Sequence, residues 1–157
     1  MSENEIEVPE DYTREELRQD LLCYTSPVLK EDLVLTGDMT AELYISSDAP
    51  DTDFVVRVTD VDENGRSIKL ADGLLSARYR NGFARSEFLQ EGEIVCLKIR
   101  TTKLSNCFRK GHRIRVTVTS SAKNFIFPNS NTREGFASAR TVVAHNRVYH
   151  GGCTPPA

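Results

Sequence analysis

The sequence predicts an all-β protein, a two-sheet antiparallel sandwich such as a jelly roll, on three observations. Apolar residues alternate with polar ones in several short runs, Gly and Asn turn pairs punctuate those runs, and almost nothing has helical periodicity. A length of 157 residues suits one domain with its own core.

The elements follow in chain order. Residues Met1 to about Asp11 are acidic and aperiodic, as in an arm or linker. Thr13-Arg14-Glu15-Glu16 has the form of a capping box, which predicts a short helix through about Gln19. Residues 1–19 are therefore read as an N-terminal arm and 20–150 as the sandwich. From Leu33 to Ile45 the odd positions are apolar except at Gly37, which predicts one long half-buried strand kinked there. Phe54 to Thr59 is a buried strand, fed by the acidic corner Ser46 to Asp53 and stopped at Asn64-Gly65, a type I′ hairpin pair. Ile68 to Leu75 is a strand with a turn at Asp72-Gly73, and Arg78-Tyr79-Arg80 is extended and ends at Asn81-Gly82. Val95 to Ile99 and Ile114 to Val118 are amphipathic strands, with Arg109-Lys110-Gly111 as the turn between them. Thr141 to Tyr149 returns across the sheet, and the tail, residues 151–157, is expected to be disordered.

The net charge of −3 is spread over mixed residues with no basic stripe, so neither nucleic acid nor an anionic membrane is an expected partner. No apolar run approaches a membrane span, and the start MSENEIEVPEDY is acidic where a signal peptide is basic and then apolar. A cytoplasmic chain is the expectation. Cys23, Cys96, Cys107 and Cys153 are widely spaced without a CxxC pair, which favours reduced thiols over metal ligation or disulfides.

The chain lacks the parts of a hydrolytic site. There is no G-x-S-x-G elbow, and the three histidines are ill placed for catalysis. His112 starts a strand and reads as a structural, hydrogen-bonded residue, while His145 and His150 fall on opposite faces of an extended segment. No catalytic residue, cofactor or metal is assigned. Asp48, Asp51 and Asp53 could offer oxygens to calcium, but Asp in such a loop more often serves the turn itself. Arg78 with Arg80, and Arg113 with Arg115, sit at strand spacing, so each pair shares a sheet face. They could bind an anion or pair with Asp51 or Asp53. Phe125, Phe127, Asn129 and Asn131 form a loop that could line a sugar or partner site, with packing over the sandwich end as the preferred reading. A free-standing carbohydrate-binding module is thus the competing function, and a homo-oligomer stays open.

An ordered set of short motifs carries a family resemblance. Leu21-Leu22-Cys23-Tyr24-Thr25-Ser26, Asp51-Thr52-Asp53-Phe54, Val58-Thr59-Asp60-Val61, Asp72-Gly73, Arg78-Tyr79-Arg80, Gly92-Glu93, Gly111-His112-Arg113-Ile114-Arg115 and Ser120-Ser121 succeed one another at matching spacing. Together they resemble the C-terminal domain of the X-Pro dipeptidyl-peptidase and cocaine-esterase group of hydrolases. The resemblance implies a jelly roll of galactose-binding-like type that packs against an α/β-hydrolase catalytic domain, in cis or as a separate chain. It also implies that the nucleophile, acid and histidine lie in that other domain. Asp51, Asp53, Arg78, Arg80, His112, Arg113, Asn129 and Asn131 are then structural or domain-interface candidates. Many members have an arginine before the first asparagine of Arg-Asn-Pro-Asn-Thr, where this chain has Pro128. Cys23 and Cys107 fall at positions usually apolar in the group, which predicts buried free thiols.

Overall fold

The structure is a computed structural model that describes residues 10–122 and 126–150. Nine strands succeed one another: β1 Leu21–Thr25, β2 Leu33–Gly37, β3 Thr40–Ser47, β4 Asp53–Val61, β5 Ser67–Ser76, β6 Val95–Arg100, β7 Leu104–Phe108, β8 Arg113–Thr119 and β9 Asn146–Tyr149. All pairings are antiparallel. One sheet has the order β1-β8-β4-β5, a second has β6-β3-β9, and β2 pairs with β7. No α-helix occurs among the described residues, only short 3-10 turns.

Alternation decides how the layers meet. Phe54 and Val56 of β4, Leu75 of β5 and Val118 of β8 face Ile45 of β3 and Leu97 and Ile99 of β6, which forms the main core between the first two sheets. A smaller core holds Ala71, Leu104 and Phe108, so the β2–β7 pair covers the remaining part of the first sheet. Full burial of each such large side chain contributes about 1.5–3 kcal/mol. The protein is an all-β antiparallel sandwich, as its periodicity predicts.

Several local expectations are corrected. The run Leu33 to Ile45 is not one strand: it divides after Gly37, and β2 and β3 join different partners, β7 and β3's neighbours β6 and β9. No turn interrupts β5 at Asp72-Gly73, and the ladder to β4 runs on with a register shift at Val58/Thr59. Gly73 is there for a close approach, because a Cβ would stand 2.4 Å from the Arg100 carbonyl oxygen. The β4–β5 hairpin is not a two-residue type I′ turn. Asp62 to Arg66 form a longer loop, Asp62 Oδ1 accepts the N–H groups of Asn64 and Arg66, and Asn64 keeps a negative φ. Arg78-Tyr79 lie in a 3-10 turn, Ala77–Tyr79, so Arg78 and Arg80 do not share a strand face. The turn at Arg109 to Gly111 joins β7 to β8, and β7 itself lacks a clear alternation in the sequence. The disordered tail predicted for 151–157 lies outside the described residues.

β4 is buried on both faces: Phe54, Val56 and Val58 inside, Val55, Arg57 and Thr59 outside. The segment from Glu10 to Asp20 covers that outer face. Asp11 bridges to Ile68, Tyr12 N–H donates to the Ser67 carbonyl at 2.8 Å, and the Tyr12 ring lies 3.8 Å from the Arg57 guanidinium carbon. The expected capping box does not form. The 3-10 turn Glu15–Leu17 has no side-chain cap; Thr13 Oγ1 donates to Asp11 and accepts from Ser67 N–H. Glu16 turns into the sheet instead. Its carboxylate accepts from Ser67 Oγ at 2.7 Å and Arg115 Nη1 at 2.5 Å, with its side chain 4 % exposed.

Candidate functional site

Strand polarity gathers the β3–β4, β5–β6 and β8–β9 connections at one end of the sandwich. β3 and β5 end there, as does β8, while β4, β6 and β9 begin there. Residues 48–52, 77–94, 120–122 and 126–145 therefore meet. Backbone hydrogen bonds join the first two, Ala77 N–H to Thr52 O at 2.9 Å and Leu89 N–H to Pro50 O at 2.8 Å, while Val142 N–H to Ser130 O at 2.9 Å folds the β8–β9 connection on itself. Loops on a rigid sandwich are where such folds carry their contacts.

Asp51 is the centre of this end. It is buried at 1 % exposure, accepts Arg78 N–H at 2.9 Å on Oδ1, and accepts Arg78 Nε at 2.7 Å and Asn129 Nδ2 at 2.9 Å on Oδ2. Asn129 Nδ2 also donates to Asp53 Oδ1 at 2.8 Å, so Asn129 ties the two carboxylates together. Arg78 reaches onward with Nη2 to the Thr132 carbonyl at 2.8 Å and Nη1 to the Arg133 carbonyl at 3.3 Å. A charge this deeply buried is tolerated because it is paired and its remaining lone pairs are filled. The Phe88 ring lies under two guanidinium groups, those of Arg78 at 5.2 Å and Arg133 at 4.7 Å.

The surrounding side chains are committed in the same way. Arg80 Nη1 donates to the carbonyls of Ala77 and Glu87, which closes the 77–87 loop. Asn131, the only non-glycine with positive φ among the described residues, takes its N–H to Asn129 Oδ1 at 2.8 Å and its Nδ2 to Val142 O at 2.7 Å. The amides offered to a sugar by the sequence are thus engaged within the protein. Asp48 accepts His145 N–H at 2.8 Å and pairs with His145 Nδ1 at 2.7 Å. That backbone hydrogen bond, and then the imidazole, hold the Asp48 carboxyl below its ordinary pKa. Asp48, Asp51 and Asp53 do not converge on a common point for a cation, and no metal-holding cluster occurs among the described residues.

Two predicted positions lie elsewhere. His112 and Arg113 are at the opposite end, where β8 begins: His112 Nδ1 meets Asp60 Oδ1 at 2.9 Å and Arg113 Nη1 donates to the Ser26 carbonyl at 3.2 Å. His112 is thus hydrogen-bonded within the fold. Arg115, on the same strand, donates to the Glu16 carboxylate. Cys23 is not buried; it is exposed, while Cys96 and Cys107 are half-buried, and all three are free thiols. Its neighbour in register is Thr117, on the face that the N-terminal segment covers only in part. Phe125 lies outside the described residues. Ser130, Thr132 and Phe88 carry as much of the corner as the predicted residues do, yet a lone hydroxyl or ring in a loop has no local signature.

A cleft of about 240 Å³ opens beside the corner, lined by Tyr79, Phe136 and Ala137 above Asp51, Arg78 and Asn129. A second, of about 520 Å³, lies between Pro50, Val142 and Val143 and the charged Glu91, Arg133 and Arg140.

Comparisons with known proteins agree with this geometry. The chain is 39% identical over 139 residues to the cocaine esterase of Rhodococcus sp. (strain MB1 Bresler), which covers 85% of this chain and 24% of the esterase. It superposes with a TM-score of 0.84 on an aminopeptidase from a marine sediment Thaumarchaeota archaeon, at 28% identity, covering 90% of this chain and 25% of that one. An α-amino acid ester hydrolase gives 0.83 at 26% identity with the same coverage. The chain thus spans about a quarter of the length of the relatives it matches. Residues 4–156 match one family throughout, and the chain belongs to that family, the X-Pro dipeptidyl-peptidase C-terminal non-catalytic domain.

Proposed function

We propose that this domain completes a serine hydrolase of the dipeptidyl-peptidase or esterase type, packing against an α/β-hydrolase catalytic domain and shaping the region around its site. The observation that carries the reading is the family match over residues 4–156 in a chain one quarter the length of its relatives. The relatives' names, an esterase, an amino acid ester hydrolase and an aminopeptidase, share cleavage of an acyl bond. In the proposed parent that bond is broken through a covalent acyl-enzyme by a serine, histidine and aspartate of the other domain. The reading extends to a jelly roll of galactose-binding-like type, for which the facing antiparallel sheets are the support. Free thiols at Cys23, Cys96 and Cys107 support a reducing, cytoplasmic setting. Among the described residues no helix is long and apolar enough to cross a membrane.

The test compares the chain alone with the polypeptide carrying an α/β-hydrolase domain ahead of it. Both are assayed with aryl esters and X-Pro anilides and labelled with a fluorophosphonate. Turnover and labelling of the longer polypeptide only is the expected result. A labelled serine in the chain alone would overturn the reading.

A further inference from the structure

Among the described residues the five most exposed large apolar ones, Leu17, Phe83, Phe127, Phe136 and Val143, range from 77 to 81 % exposure, and all lie in segments outside the strands. Four of them belong to the connections gathered at the loop end of the sandwich. Phe83 stacks on Tyr79 with ring centroids 5.4 Å apart, and Tyr79 and Phe136 form the walls of the 240 Å³ cleft. Phe83, Tyr79 and Phe136 are therefore one aromatic patch. Val142 and Val143 line the neighbouring 520 Å³ cleft, whose rim carries Glu91, Arg133 and Arg140.

Two aromatic rings held open at 80 % exposure are an unusual surface for a protein that has buried Phe54 and Phe108 completely. Buried hydrogen bonds lie directly beneath the cleft that Tyr79 and Phe136 line. The floor below them is the Asp51–Arg78–Asn129 network, so the patch is presented on a fixed support. An apolar centre with a charged rim on a preformed base is the anatomy of a protein–protein interface.

We infer that the patch formed by Tyr79, Phe83 and Phe136 is the surface on which the catalytic domain of the same polypeptide docks. This rests on the packing proposed above and adds the face that does it. The occupant is chosen by length: three quarters of each matched relative lies outside this domain, enough chain to cover such a surface permanently. The buried Asp51 corner then acts as the anvil of that interface and not as a ligand site.

Hydroxyl-radical footprinting of the intact polypeptide tests this, with rates normalised to intrinsic reactivity. Phe83 and Phe136 are expected to be modified at least about fivefold more slowly than Val34, which is 67 % exposed on β2, as the core of an interface requires. A Phe83→Asp/Phe136→Asp variant of the same polypeptide is expected to separate the unfolding transitions of the two domains, whereas Val34→Asp leaves them together. Rapid modification of both phenylalanines with protection around β2 and β7 would overturn this inference and leave the packing reading standing. Protection on no face of the domain would overturn both.

Discussion

Arg78 holds Asp51 at two points, with its backbone N–H at 2.9 Å and its Nε at 2.7 Å, and so joins a loop 27 residues away to the start of the 77–94 connection. The pair is almost fully withdrawn from water, with side-chain exposures of 12 % and 1 %. Removing one partner strands the other. Asp51→Ala is therefore expected to lower unfolding free energy by about 3–5 kcal/mol, read from urea denaturation. Asn129→Ala removes a neutral side chain, its Nδ2 donor to Asp51 and Asp53 and its Oδ1 acceptor for Asn131 N–H, and is expected to cost about 1–3 kcal/mol. Hydrogen exchange should show residues 129–136 losing protection in both variants while β3 and β6 keep theirs.

Glu16 fastens the N-terminal segment to the sheet. Its carboxylate holds Ser67 and Arg115 from a side chain 4 % exposed, and Arg115 is itself only 23 % exposed. Glu16→Ala is expected to cost about 3 kcal/mol, most of it from leaving Arg115 partly buried without its partner. Limited proteolysis should then cut between Tyr12 and Arg18, in bonds that the wild-type domain protects.

Gly73 tests backbone approach separately from conformation. A methyl group there meets the Arg100 carbonyl oxygen at 2.4 Å, and the next nearest atoms are also backbone, of Arg100 and Thr101. Gly73→Ala is expected to destabilise by about 2–3 kcal/mol as overpacking forces β5 away from β6. Gly65→Ala meets no atom within 4 Å but sits at φ +84, so the expected cost is about 1–2 kcal/mol from strain alone. Thermal denaturation of the two variants should rank them in that order.

The carboxyl of Asp11 is held down to about 2 from an ordinary 3.8, first by the Thr13 hydroxyl, then by the Thr13 N–H and Arg66. A depressed folded-state pKa stabilises the fold above the unfolded value and loses that contribution as pH falls through the folded one. The contribution of Asp11 is thus complete above pH 3.8 and disappears toward pH 2. Wild type and Asp11→Asn should differ in stability at pH 5 and converge at pH 2, and the carboxyl carbon shift of Asp11 should titrate near 2.

The strands β4, β6 and β8 were legible because alternation is a local signal: side chains two apart share a face whatever lies opposite. The corner was legible in part. Asp51-Thr52-Asp53 announces a turn, and its need for an arginine follows from burying a carboxylate. Whether Arg78 or Arg113 supplies that need has no local signature, since both stand beside apolar residues in similar patterns. Topology chooses Arg78, because β5 ends beside the start of β4 while β8 begins at the far end.

Residue type and spacing alone were enough for the fold class, the absence of a hydrolytic motif in the chain and, through the ordered motifs, the family. The division of Leu33 to Ile45 between two partners, the burial of β4 on both faces and the exposure of Cys23 came only with the folded chain. Each depends on which distant segment covers a face. Periodicity records that a face is apolar or polar, but its cover is set by the packing of residues tens of positions away. Glu16 shows the difference most sharply: its local pattern fits a helix cap, and the stronger attraction of Arg115, Thr59 and Ser67 draws it into the sheet instead.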